Sequence, residues 1–259
     1  MTEQLRGLVV RGTDVGDFDR MMTLLTASHG KISVFARGAK RPTSRFLSAT
    51  QLFCCGDYTL YRGKNSYTLQ ECEVVCSYFH LRQDLTTLAL ATYLCDVAAD
   101  VCLEESDEHS MLQLTLNALW CLEKESHAPA LVKGAFEFRC ACIIGFLPQL
   151  GACGACGAEY GERDMFFDLL NGTLLCDRCQ SKQPVPLTPY EDDGGALCVK
   201  ISNSVTAALR YVITAPAAKQ FSFHLEEAEL LSFAQVCERY LLCHVEHGYH
   251  SLTFYKTIL

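Results

Sequence analysis

The sequence predicts an α+β protein of several domains: a small N-terminal β-barrel, followed by an α-helical domain that carries a cysteine-rich insertion. Three observations predict this class. The first 80 residues read as short strands between turn residues, the apolar period then becomes helical, and two C-x2-C pairs interrupt the helical part. A chain of 259 residues is long for one domain and comfortable for two or three.

The predicted barrel occupies residues 1–80. Its strand-like segments are β-rich, apolar or alternating, and they lie at 4–13, 21–28, 32–39, 52–63 and 66–75. Short strands in this number suggest a closed or nearly closed barrel, since closure removes exposed strand edges.

Helical periodicity begins near residue 84. Segments with apolar residues at helical spacing lie at 84–103, 111–125, 130–148, 204–214 and 226–247. Asp84 is placed to cap the first of them, and Pro148 to end the third.

The domain division follows from these periods. We expect a first helical part at 81–150, a finger at 151–182, and a linker with completing helices at 183–259. Three prolines, two glycines and an acidic run at 183–196 indicate the linker.

The N-terminus has no apolar core typical of a signal peptide, and the apolar stretch at 140–147 is too short to cross a bilayer. We therefore expect a soluble, cytoplasmic protein with no membrane contact. In that reducing compartment most of the 16 cysteines are interpreted as small buried hydrophobes rather than disulfide partners.

Charge is unevenly distributed along the chain. The net charge is −8, yet residues 1–80 hold ten Lys and Arg against seven Asp and Glu. The remaining residues carry the acidic excess. This asymmetry points to an anionic partner at the N-terminal domain rather than along the whole chain.

Four cysteines form the most specific motif. Cys153 and Cys156 make one C-x2-C pair, and Cys176 and Cys179 make a second after nineteen intervening residues. Four thiolates at this spacing suit a closed tetrahedral zinc site that stabilises a small finger. Buried structural thiols and a redox pair are the alternatives.

A basic loop at 35–46 contains Arg37, Lys40, Arg41 and Arg45 without an acidic residue. Arg11 lies on a neighbouring predicted strand. Small barrels bind single-stranded nucleic acid with a basic groove and stacking aromatics. The available aromatics are Phe18, Phe35, Tyr58, Tyr61 and Tyr67. The alternatives are a solvated loop that aids solubility and an acidic protein partner.

Motifs of several enzyme classes are absent from the sequence. It has no G-x-G-x-x-G, no G-x-S-x-G and no phosphate-binding P-loop. We therefore expect a binding protein rather than an enzyme, with a redox or zinc enzyme as a minor alternative. His244, His247 and His250 are interpreted as an exposed helix end rather than a second metal site.

Several segments resemble one known family, RecO, a bacterial recombination mediator. They are GLVVRGTDVGDFDRMMTLLTASHGKISVFARGAKRPTSR (7–45), LRQDLTTLALATYLCDV (81–97), FEFRCACIIGFLPQLGACGACG (136–157) and CERYLLCHVEHGYHSLTF (237–254). The resemblance runs nearly end to end. It implies an N-terminal OB-fold barrel, then an α-helical domain with an inserted four-cysteine zinc finger.

The resemblance also implies a function in recombinational DNA repair. Such a protein binds single- and double-stranded DNA, anneals complementary strands and acts with RecR to load RecA onto DNA coated by single-strand-binding protein. We expect it at the bacterial nucleoid. A zinc-stabilised protein–protein scaffold with weak DNA affinity is the alternative, because the C-terminal two-thirds of the chain is acidic.

Site residues carry over position by position. The four cysteines match the family's zinc ligands, and Arg11, Arg37, Lys40, Arg41 and Arg45 match its basic positions. In the family, the acidic tail of single-strand-binding protein docks on the helical domain. Lys133 and Arg139 are the contacts we expect for it here, although Arg139 can equally be a buried structural arginine.

Overall fold

A computed structural model describes residues 1–64, 66–159, 163–182 and 197–259, and its N-terminal strands close into a barrel. The barrel strands are β1 (Thr2–Val15), β2 (Asp19–Thr26), β3 (Lys31–Ala36), β4 (Cys55–Arg62) and β5 (Tyr67–Cys76). They follow the order β1-β2-β3-β5-β4, and β4 pairs back onto β1. Among the described barrel strands, only β3 and β5 pair in parallel. The predicted OB-like barrel is confirmed.

Alternation along the strands builds the barrel core. Its buried cluster includes Leu5, Val9, Met22, Leu24, Val34, Tyr58, Leu60 and Leu69. A bulge between Val9 and Arg11 shifts the register of β1 on β2. Leu8 and Val10 are also buried, outside that cluster, and helix α1 (Leu85–Val101) packs on β1. Both faces of β1 are covered at this point, which explains why the apolar run at 8–10 is continuous rather than alternating.

The described residues contain seven α-helices. They are α1, α2 (His109–Glu123), α3 (Pro129–Ile143), α4 (Asp177–Gln180), α5 (Asn203–Thr214), α6 (Glu227–Val245) and α7 (His250–Thr257). None of them combines the length and the apolar character needed to span a bilayer.

Helix ends follow capping chemistry. The Asp84 carboxylate accepts the Thr87 N–H at 2.7 Å, which confirms the predicted N-cap of α1. Helix α3 ends at Ile143, before Pro148, where the Phe146 N–H donates to the Ala141 carbonyl at 2.9 Å and closes the last turn.

The helices divide between two compact units. One unit contains Met1–Pro129 and Tyr249–Leu259, and the other contains Ala130–Gly248. The sequence prediction differs, since it assigns every helix to one domain. Helices α1 and α2 belong with the barrel because α1 packs on β1, and α7 joins them by packing on α1. The sequence patterns did not predict helix α7.

A four-stranded sheet carries the cysteine pairs in the second unit. Its strands are β6 (Gln149–Cys153), β7 (Met165–Asp168), β8 (Thr173–Leu175) and β9 (Cys198–Ile201), in the order β6-β8-β7-β9. Strand β9 extends this sheet beyond the predicted finger boundary at residue 182. The predicted linker at 183–196 lies outside the described residues.

Gly30 is required where the β2–β3 turn meets the segment after α1. Its φ is +62°, and a Cβ there would lie 1.9 Å from the Leu103 carbonyl oxygen. We expect Gly30→Ala to destabilise the barrel unit by about 2 kcal/mol or more, because positive-φ strain and a backbone clash add. Urea unfolding followed by the fluorescence of Trp120, in the same unit, measures this.

Gly16→Ala is the matched control for this substitution. Gly16 also has a positive φ, +57°, but nothing lies within 4 Å of the position that a Cβ would take there. It should show the φ penalty alone, about 1–2 kcal/mol. Equal losses for the two variants would contradict the close approach at Leu103.

Candidate metal centre and nucleic-acid interface

The cysteine cluster, Cys153, Cys156, Cys176 and Cys179, forms at one end of the β6–β9 sheet. Their sulfur atoms all lie within 4.8 Å of one another, and the Sγ atoms of Cys156 and Cys176 are 3.8 Å apart. Zn–S bonds of about 2.3 Å at tetrahedral angles place two sulfurs about 3.8 Å apart. The cluster therefore has the donor set and the dimensions of a four-thiolate metal site.

Local structure explains how the four sulfurs meet. Cys153 ends β6, and Cys176 directly precedes α4, which carries Cys179. Strands β6 and β8 pair in parallel, with Cys153 opposite Leu174. This pairing brings the two C-x2-C segments together although they are nineteen residues apart in the chain.

Backbone N–H groups favour the thiolate form in the cluster. Burial opposes ionisation of Cys153, but hydrogen bonds from the N–H groups of Cys176, Ala155 and Cys156 outweigh it and lower the pKa of Cys153 to about 6. Hydrogen bonding to Cys156 and Cys176 raises the pKa of the Cys179 thiol to about 12. A metal ion must therefore displace protons when it binds all four sulfurs.

In the described part of the chain, these cysteines are the one group of three or more Cys, His, Asp or Glu side chains close enough to share a metal. The C-terminal histidines do not form a second one. Helix α6 ends at Val245, and the His244 ring stacks on Phe146 with centroids 4.0 Å apart.

The basic loop leaves β3 and is fixed by acidic residues at the β1–β2 turn. Asp19 Oδ1 accepts the Gly38 N–H at 2.7 Å. The Asp14 carboxylate receives Lys40 Nζ at 2.8 Å and Arg20 Nη2 at 3.0 Å. Hydrogen bonds from Lys40 and Arg20 hold the pKa of Asp14 below its usual value. The loop is therefore an ordered turn structure anchored to the barrel.

Three predicted cations remain exposed on this loop. Arg37 is exposed and makes no hydrogen bond or ion pair with the residues that the structure describes. Arg41 lies with Cζ 5.2 Å from the centroid of the Phe18 ring. Arg45 donates to the Gln70 carbonyl at 2.6 Å and packs on Phe46. All three side chains can present positive charge to a ligand.

Two further predicted cations are compensated within the protein. Lys40 pairs with Asp14, and its side chain is 28% exposed. Arg11 pairs with Asp96 of α1 at 2.9 Å. These carboxylates come from other segments, so the sequence pattern of the loop gives no sign of the pairing.

Lys133 and Arg139 lie on α3, and their side chains contact other residues of the second unit. Lys133 is 6% exposed, and its Nζ contacts Glu137 at 2.7 Å and Glu238 at 2.6 Å. The Arg139 guanidinium donates to the Ile213 carbonyl at 2.6 Å. Their assignment as partner contacts stays a prediction, and the burial of Lys133 argues against it.

Comparison with known proteins matches both parts of the chain to one family. Residues 1–78 match the family model "Recombination protein O N terminal", and residues 82–253 match "Recombination protein O C terminal". The first ends within the residues just after β5 and the second begins before α1. The two matches together cover nearly the whole chain.

Curated relatives agree with these matches. DNA repair protein RecO of Acetivibrio thermocellus is 34% identical over 252 residues, which cover 97% of this chain and 95% of the relative. The RecO proteins of Symbiobacterium thermophilum and Moorella thermoacetica are 35% and 36% identical over 67% and 70% of this chain, and over 69% and 67% of their own length. With an OB-like barrel, a cysteine cluster and family matches over both halves, this chain belongs to the RecO family of DNA repair proteins.

Proposed function

We propose that this protein is a non-enzymatic DNA-binding protein of recombinational repair that anneals complementary strands. With RecR, it helps to load RecA onto DNA coated by single-strand-binding protein, in the bacterial cytoplasm at the nucleoid. The observation that carries the proposal is the anchored basic loop, which keeps Arg37, Arg41 and Arg45 exposed beside an OB-like barrel.

Annealing by such a surface requires no bond chemistry. Two DNA strands repel each other through their phosphates, and fixed guanidinium groups offset that repulsion when they bind both backbones. Counterions released from the phosphates supply much of the binding free energy. The anchoring of the loop by Asp14 and Asp19 keeps its cations in one arrangement, which lowers the ordering cost of binding.

We also propose zinc as the metal of the cysteine cluster. Four thiolates are soft donors that favour zinc, and a closed shell without an open position suits a structural ion. When bound, zinc supplies a cross-link between the two C-x2-C segments. The chain's own contribution is the set of N–H groups that stabilise the Cys153 thiolate.

Replacing Arg37, Arg41 and Arg45 together with glutamine tests the DNA interface. Three fewer phosphate contacts should lower single-strand affinity on the order of 10- to 100-fold at low salt and reduce the salt slope by about 2. Fluorescence anisotropy with a labelled oligonucleotide across a salt series measures both quantities. Annealing of complementary oligonucleotides, with and without partner proteins, should slow in parallel.

Lys40→Gln is the matched control within the same loop. Lys40 already pairs with Asp14. Lys40→Gln should therefore change the salt slope of single-strand affinity by less than the loss of any one of the three arginines would. Unchanged binding by the triple variant would refute the loop as the DNA site. It would favour the scaffold alternative if binding to a protein partner were retained.

A further inference from the structure

The barrel aromatics divide sharply by exposure. Of the five that the sequence offers for base stacking, Tyr58 and Tyr67 are buried in the barrel core, and Phe35 is half-buried. Phe18 and Tyr61 are each 49% exposed. An aromatic ring with this exposure is accessible to a planar ligand.

Phe18 differs from Tyr61 because it is joined to the basic loop. It lies in the turn between β1 and β2, and its carbonyl accepts the Lys40 N–H at 2.9 Å. The guanidinium carbon of Arg41 lies 5.2 Å from the centroid of its ring. The turn and the loop therefore present an aromatic ring with a planar cation over one of its faces.

We infer that Phe18 and Arg41 form a stacking platform for one unpaired nucleobase beside the basic loop. This inference rests on the proposed DNA-binding function and deepens it. A base has a π-face that stacks on an aromatic ring, and the guanidinium plane can stack on it as well. In a duplex the base faces are covered by their neighbours and cannot reach the ring without unstacking.

Two of the three carboxylates near the platform are bound within the protein. Asp14 and Asp19 accept from Lys40, Arg20 and the Gly38 N–H. Asp17, next to Phe18, is exposed and places one negative charge beside the ring. Arg37 lies close along the chain and can bind a neighbouring phosphate. The platform thus supplies base stacking, while the exposed arginines supply phosphate binding.

An oligothymidine and an abasic strand of equal length separate these two contributions, because they carry the same phosphates. The native protein should bind oligothymidine more tightly than the abasic strand. Phe18→Ala should weaken oligothymidine binding about 5- to 20-fold. Abasic binding and the salt slope should change little, because no positive charge is lost. Phe18→Trp should retain the preference for oligothymidine.

Phe254→Ala is the matched control, since Phe254 is 50% exposed on α7 rather than on the barrel. Phe254→Ala should leave the affinity for oligothymidine and the affinity for the abasic strand unchanged. Equal losses with both strands for Phe18→Ala, or no loss with either, would overturn the inference. If the triple arginine variant still lowers affinity in that case, the proposed DNA site stands and only the stacking role fails.

Discussion

Replacement of Cys153 by serine is expected to remove the metal and to destabilise the cysteine end of the β6–β9 sheet. Cys153 is buried, ends β6 and receives the Cys176 N–H at 3.4 Å. The strands bury Phe167 and Leu174, and the Phe167 ring packs on Phe138 of α3 and Tyr240 of α6. The metal adds a cross-link at the cysteine end, where no comparable apolar core among the described residues holds the exposed Cys156 segment. Structural zinc contributes an apparent ~10–16 kcal/mol at neutral pH in zinc-finger peptides, which is comparable to the whole stability of a typical domain.

Two measurements check the expected loss. Elemental analysis should find one zinc ion per native chain and none in Cys153→Ser. Hydrogen exchange should lose protection in peptides from β6, β7 and β8. Cys198→Ser is the matched control, because Cys198 lies on β9 of the same sheet but outside the cluster. A metal-free variant with native protection would contradict a structural role for the ion.

The same site should release its metal in acid. Metal ligation requires thiolates, so protons compete with the ion. The Cys153 thiolate is favoured above its pKa of about 6 and is lost as the pH falls through that value. Cys179, with a pKa of about 12, is already protonated at neutral pH and competes there as well. Zinc affinity, measured by competition with a chelator across a pH series, should therefore fall as the pH falls, and more steeply below about pH 6, where Cys153 must also lose a proton.

Local patterns were enough to predict much of the fold. Residues 32–39 alternate because Ile32, Val34 and Ala36 lie in the barrel core. Asp84 marks the start of α1 because its carboxylate caps the first turn. The cysteine spacing predicted the ligand cluster for a similar reason. Each C-x2-C pair is a short turn that is visible in the sequence, and two such pairs supply the four thiolates that one ion needs.

Features that depend on long-range contacts could not be predicted. The pairing of Arg11 with Asp96 joins positions 85 residues apart, so the sequence shows a free cation where the structure shows an ion pair. Helix α7 was missed because only eight residues form it and packing on α1, rather than a long apolar period, stabilises it. The exposure of Phe18 likewise follows from the turn geometry and not from its alternation.

The burial of Lys133 also depends on long-range contacts. A lysine in a helical segment is usually solvated, so the sequence pattern did not predict that Lys133 is buried. Its ammonium group lies in the second unit between Glu137 and Glu238. Burial lowers the pKa of Lys133, but the two carboxylates outweigh burial and raise it above its ordinary value. The lysine is therefore charged at neutral pH, and its contribution to stability is lost only as the pH rises through that raised pKa.

Lys133→Met is expected to destabilise the second unit by about 3–5 kcal/mol, because it leaves buried carboxylates without their ammonium partner. Trp120, the single tryptophan, lies in the other unit, so hydrogen exchange of peptides from α3 and α6 is the suitable measurement. Glu238→Gln combined with Lys133→Met should recover part of the loss, since the two residues are coupled.

Lys200→Met provides the comparison for an exposed ion pair. Lys200 lies 3.4 Å from Asp164, with side chains 59% and 51% exposed, and its loss should cost less than about 1 kcal/mol. A cost for Lys133→Met as small as that for Lys200→Met would show that Lys133 is solvated in the native protein. That outcome would return Lys133 to the surface, where an acidic protein segment can bind it.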